Sequence, residues 1–165
     1  MTPLIPVLVT APAEDAVTLP SAKKHCRVDH DDEDELISSL IAAAVAHLDG
    51  WRGVLGRAIM PQTWSITVDA AGDYILPMPD VTEASIDGSA LTVTTTAAGP
   101  MVTTEAAGTI EFACTMRPEQ LPAVRAAILL LVGHWYVNRE AAGAALSEVP
   151  MAASMLLGPL RWRHV

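Results

Sequence analysis

The chain has 165 residues, a length that fits one domain and leaves little room for two. About half of it (51%) is apolar and 18% is charged, which excludes a wholly disordered chain. Ten Lys and Arg face nineteen Asp and Glu, and a formal charge of −9 argues against sequence-tolerant nucleic-acid binding, which gains affinity by neutralising phosphates.

Residues 1–17 contain Pro and Ala with no clear period and are expected to form an extended arm. Interrupted by Pro3 and Pro6 and lacking a basic start, they make a poor signal peptide. Thr18 caps a short predicted helix to about Arg27, with Pro20 tolerated in its first turn. A turn at Val28–Asp31 leads to Asp32 and Glu35, spaced as a capping box. Behind them Leu36, Ile37, Leu40, Ile41, Ala44, Val45 and Leu48 recur as the stripe of an amphipathic helix ending near Gly50–Gly53. Residues 18–53 therefore read as a helical segment.

From Gln62 the period becomes two: Trp64, Ile66 and Val68 alternate with Thr63, Ser65 and Thr67, as in a strand with one buried face. Val81–Ile86, Asp87-Gly88 and Leu91–Thr95 read as a hairpin on a type I′ turn. Thr94–Gly108 reads as a Thr/Ala/Gly-rich loop and Thr109–Cys114 as the last strand of a 62–115 β region.

Arg117-Pro118-Glu119 opens a long predicted helix over 118–142. Leu121, Val124, Ile128, Leu131 and Trp135 share one face, and Leu129, Leu130, Val132 and Tyr136 make the neighbouring faces apolar too. A helix apolar on most sides is buried on most sides, so these four are candidate contacts with a second copy of the chain. The 150–165 segment holds a short apolar helix (Met151, Met155, Leu156, Leu157), a Gly158-Pro159 stop and a cationic, aromatic tail, Leu160-Arg161-Trp162-Arg163-His164-Val165. The predicted fold class is α+β: mainly helical, two N-terminal and two C-terminal helices, with an inserted antiparallel β region of four or five strands.

Charge is uneven along this frame. Eight acids fall between Glu14 and Glu35, whereas none follows Glu148. The run from Asp29 to Glu35 fails as a calcium loop, because its sixth position is Asp34 and its twelfth is Leu40; helix capping accounts for it better. Cys26 and Cys114 are too few for a disulfide framework, which fits a reducing compartment. His25, Cys26 and His30 lack metal-ligand spacing, and no nucleophile elbow, phosphate loop or dinucleotide fingerprint is present. No cofactor, metal site or catalytic residue is predicted, and no segment reaches the roughly 20 apolar residues of a membrane span. Arg161, Trp162 and Arg163 are of the types enriched at interface hot spots, against the alternative that Trp162 folds back on its own core.

Four segments in register carry a family resemblance. Val17-Thr18-Leu19-Pro20-Ser21-Ala22-Lys23-Lys24-His25-Cys26-Arg27-Val28-Asp29 leading into Asp31–Ile37, Leu55-Gly56-Arg57-Ala58-Ile59-Met60-Pro61-Gln62-Thr63-Trp64, Pro122–Glu140 with its His134-Trp135-Tyr136-Val137-Asn138-Arg139-Glu140 ending, and Val149-Pro150 with Leu156–Arg161 resemble phage gp6-like head–tail connectors, also found in gene transfer agents. The resemblance implies a non-enzymatic adaptor of a tailed phage or phage-like particle, a homo-oligomeric ring, usually a dodecamer, beneath the portal. It joins the head to the tail, and DNA passes through it without sequence-specific binding. The implied partners are the portal protein and a stopper or other tail-completion protein. The implied location is the head–tail interface of the virion, after assembly in the bacterial cytoplasm. It further implies that the C-terminal segment reaches the portal, which nominates Leu160, Arg161, Trp162, Arg163 and His164. The competing readings are a stopper or tail terminator, which tend to be β-rich, and a small metal-dependent enzyme built on His25, Cys26 and His30.

Overall fold

A computed structural model describes residues 4–139 and 151–162. In it a helical layer and a pair of antiparallel sheets each surround their own hydrophobic cluster. Helix α1 (Leu19–Cys26) begins after Thr18 with Pro20 in its first turn, and α2 (Asp34–Leu48) buries Ile37, Ile41, Ala44 and Leu48. The predicted capping box does not form. Helix α2 starts two residues later than Asp32, and Glu33 at its N-cap is engaged elsewhere.

Helix α3 (Leu121–Val137) buries Val124, Ala127, Ile128, Leu131 and Val132. It packs against α1, α2 and α4 (Met151–Leu157), whereas α4 touches neither α1 nor α2. Much of the all-round apolarity of α3 is thus answered by the chain's own helices. Val132, a nominated subunit contact, is wholly buried inside one copy, while Leu129, Leu130 and Tyr136 are partly buried at the edge of the same core. The start of α3 falls at Leu121, and the predicted extension over Glu140–Ala142 lies outside the described residues.

The β region is larger than the sequence pattern predicts: eight strands among the described residues. Strand β1 (Val7–Thr10) lies within the predicted extended arm and pairs antiparallel with β2 (Gln62–Val68). With β8 (Gly108–Cys114), β4 (Val81–Ile86) and β5 (Ser89–Leu91) they form a five-stranded sheet in the order β1-β2-β8-β4-β5. The Asp87-Gly88 turn between β4 and β5 has positive φ at both residues (46° and 85°), as a type I′ hairpin requires.

A second sheet, β3-β7-β6, is built from Gly72–Ile75, Gly99–Thr104 and Thr94–Thr96. It occupies much of the predicted Thr94–Gly108 loop. Ile66 and Val68 of β2, Ile110 and Phe112 of β8, Ala84 of β4 and Val102 of β7 join the β cluster with Leu76 and Met78. The β2–β8 register sets Trp64 opposite Phe112 and Ile66 opposite Ile110, so the apolar alternation of both strands points to the same side.

Candidate functional site: the seat of the C-terminal segment

After α4 the chain makes one 3₁₀ turn at Gly158–Leu160 and then runs extended through Arg161. Three groups hold it. The Trp162 N–H donates to the Leu55 carbonyl at 2.8 Å, and Arg57 Nη1 donates to the Leu160 carbonyl at 3.0 Å. The Trp162 indole lies over Gly99 at the start of β7: a Cβ there would stand 3.2 Å from Trp162 Cζ2 and 3.4 Å from Ile75 Cγ2. Gly56, at φ +63°, is equally constrained, because a Cβ would come within 2.8 Å of the Trp162 carbonyl oxygen. The seat is therefore made of a loop after α2, one strand of the small sheet, and an arginine between them.

Arg57 is 6% exposed, unusual for a charged residue. Its second guanidinium nitrogen pairs with Asp80, whose side chain is 13% exposed and whose other carboxylate oxygen lies 3.6 Å from Arg117 Nε. Asp80 has φ 56°, a left-handed conformation that Asp tolerates better than most residues, and its carbonyl accepts the Thr115 N–H. One buried ion pair thus ties together the 50–59 loop, the approach to β4, the end of β8 and the C-terminal segment.

The loop is held at its base by a second polar junction. Asp49 accepts hydrogen bonds from the Ile59 N–H (2.7 Å) and from Gln62 Nε2 (2.7 and 2.9 Å), and Gln62 Oε1 accepts from Trp64 Nε1 at 3.1 Å. Burial pushes the Asp49 carboxyl up from its ordinary value, and these donors act against that shift. Residues Leu55–Trp64, met in the sequence as one resembling segment, are therefore the framework of the tail's seat.

A third polar cluster sits at the α2–α3 corner. Glu33 accepts from the Tyr136 hydroxyl and lies 2.6 Å from Arg139 Nη1, and the Arg139 guanidinium stands 4.3 Å from the Tyr136 ring centroid. The hydrogen bond from Arg139, followed by that from Tyr136, holds the Glu33 carboxyl down at about 2. Nearby, Lys23 pairs with Asp31 and Asp34 at 2.6 Å each, so part of the acidic run neutralises α1.

Of the nominated tail residues, Leu160 and Trp162 are half-buried on the chain itself, and Arg161 is exposed. Arg163 and His164 lie outside the described residues. Sequence reasoning missed Arg57, Asp80 and Gly99; the one signal available for Arg57 was its place inside the Leu55–Trp64 segment. Among the described residues no three His, Cys, Asp or Glu side chains gather to hold a metal ion, and no helix is long and apolar enough to cross a membrane.

Residues 16–86, which contain α1, α2, the 50–59 loop and strands β2, β3 and β4, match the family model described as phage gp6-like head-tail connector protein. The chain resembles that family over those residues, somewhat less than half of its length. It is a structural head–tail connector of a phage-like particle. Two solved structures share its fold nearly end to end, each 18% identical and covering 98% of this chain and 97% of its own. One comes from the virion of a native gene transfer agent particle, with a TM-score of 0.67, and the other from the neck of an empty gene transfer agent particle computed with C6 symmetry, with a TM-score of 0.68. No curated protein matches the chain.

Proposed function

We propose that this connector is a non-enzymatic adaptor that forms a ring, in the particle a dodecamer, between the portal protein and a stopper or other tail-completion protein. Its C-terminal segment, Leu160 to His164, faces the portal. The observation that carries the proposal is the seat itself. Arg57, Leu55 and Gly99 fix Leu160 and Trp162 on the body, so Arg161, exposed between them, is presented in a set direction. Trp162 aims the segment, with one side of its ring taken by its own chain. Arg161 and Arg163 supply charge for carboxylates on the partner, where desolvated Arg pairs carry binding energy.

An acidic protein suits the wall of a DNA channel, because with few cations to release counterions the duplex slides without being gripped. Leu129, Leu130 and Tyr136 remain on the proposed subunit surface, and Val132, sealed in the core, leaves it. Assembly in the bacterial cytoplasm belongs to the same reading and fits two unpaired cysteines.

The test removes charge without disturbing the seat. A chain ending at Trp162 and carrying Arg161→Glu is expected to fold normally and to lose binding to the portal in co-sedimentation. Undiminished binding would overturn the assignment of the portal-facing end.

A further inference from the structure

The two ends of the helical layer differ in a way that the portal contact leaves unused. Helix α4 exposes Met151 (80%), Met155 (72%) and Leu156 (36%), an apolar face with no charge on the helix. Elsewhere in the helical layer, the face of α2 next to its buried stripe forms a groove of about 470 Å³ with the chain before α1. Ala42, Val45, Ala46, Val17 and Met60 line it, and Glu14 and Asp15 stand at its rim.

We propose that the α4 face of one copy seats in the α2 groove of the next, and that this contact closes the ring; the inference rests on the ring reading above. Three observations name a second copy as the occupant. Helix α4 packs on α3 and approaches neither α1 nor α2 within its own chain, so knob and groove are separate patches. A ring needs a heterologous interface, two different patches on every copy, and these are two different patches. The charges are compatible: Glu14 and Asp15 at the groove would meet a helix with no charge of its own, in a segment that carries no acid from Met151 to Val165. Methionines, unbranched and polarizable, suit the knob because they adapt to a groove lined by small side chains.

The variant Met155→Cys with Ala42→Cys, in a Cys26→Ser background, tests it by cross-linking with a short bis-maleimide. Cys114 can stay, since it is buried and its thiol is pushed up to about 12 by burial. The protein is treated both concentrated alone and assembled on the portal, with micrographs of each sample. A ladder running past dimer to the full ring is expected. Cross-links that stop at dimer, or that stay within one chain, would overturn the proposal, the latter by making the groove the seat of the chain's own segment. A ring on the micrographs without a ladder would overturn this contact and leave the ring standing; no ring in either sample would remove both. As a second variant, Ala42→Trp fills the groove at an exposed position, and it should leave the monomer's circular dichroism unchanged while abolishing the ring. Rings formed by Ala42→Trp would count against the contact.

Discussion

The tail seat and the α2–α3 corner use the same chemistry in different surroundings. Each joins an arginine to a carboxylate, at the root of the C-terminal segment in one case and at the end of α3 in the other. In the seat the side chains are 7% and 13% exposed, whereas Arg139 and Glu33 are 43% and 24% exposed. A buried pair gains little net energy from forming, because both charges lose water, but breaking it strands a charge. An exposed pair is solvated in both states and is screened by salt. The seat therefore works as a fixed geometric device, and the corner as a trim whose strength varies with conditions.

The largest effect should come from Arg57→Met. It leaves Asp80 buried without its main partner and removes the donor to Leu160, at a cost of about 3–5 kcal/mol in urea denaturation. Adding Asp80→Asn should recover much of this, since Asn removes the stranded charge and also tolerates φ 56°. If the double variant were no better than Arg57→Met, the pair would not be the cause.

Next in size is Gly99→Val, which forces the Trp162 ring off β7. A cost of about 1–3 kcal/mol is expected for the overpacked contact, with the strain of a β-branched residue at φ 136° adding to it. Hydrogen exchange should show faster loss of the Trp162 amide, which is bonded to Leu55, with the sheet amides little changed. Retained protection at Trp162 would mean that the indole is not what holds the segment.

The corner should respond to pH. The Glu33 carboxyl is depressed from 4.5 to about 2 in the folded chain, so its contribution is fully present above the unfolded value and is lost as pH falls from about 4.5 through about 2. Glu33→Gln should flatten the melting temperature against pH across that window. The same slope in wild type and variant would show that other carboxylates set it.

Salt gives the smallest and most selective effect. The stability difference between wild type and Arg139→Met should shrink as salt is added, and that between wild type and Arg57→Met should not. Parallel salt dependence would erase the distinction between the two sites.

What the sequence made legible follows from periodicity. The α2 stripe from Ile37 to Leu48 and the β2 alternation from Trp64 to Val68 were readable because each element buries one face. The Asp87-Gly88 hairpin was readable because few residue pairs accept positive φ twice. Strands β1, β3, β6 and β7 were not. Each pairs on a sheet edge or in the small second sheet, and Thr94–Thr104 sets Thr runs around Ala, Gly and Pro, a composition shared with loops. The apolar excess of α3 was visible, but which neighbour covers it was not, since α4 lies more than a dozen residues further along the chain. The seat stayed hidden because its parts, Leu55, Arg57, Asp80, Gly99 and Trp162, come from four separate segments. Only the fold makes an isolated arginine and two glycines into a socket.

The central claim, a connector that presents its C-terminal segment to the portal, is tested most directly by electron microscopy of the full chain assembled with the portal. The account predicts a closed ring beneath the portal, with Arg161 and Arg163 at the portal face and Trp162 still over Gly99. A ring docked by its opposite end, with Arg161 turned away from the portal, would contradict it.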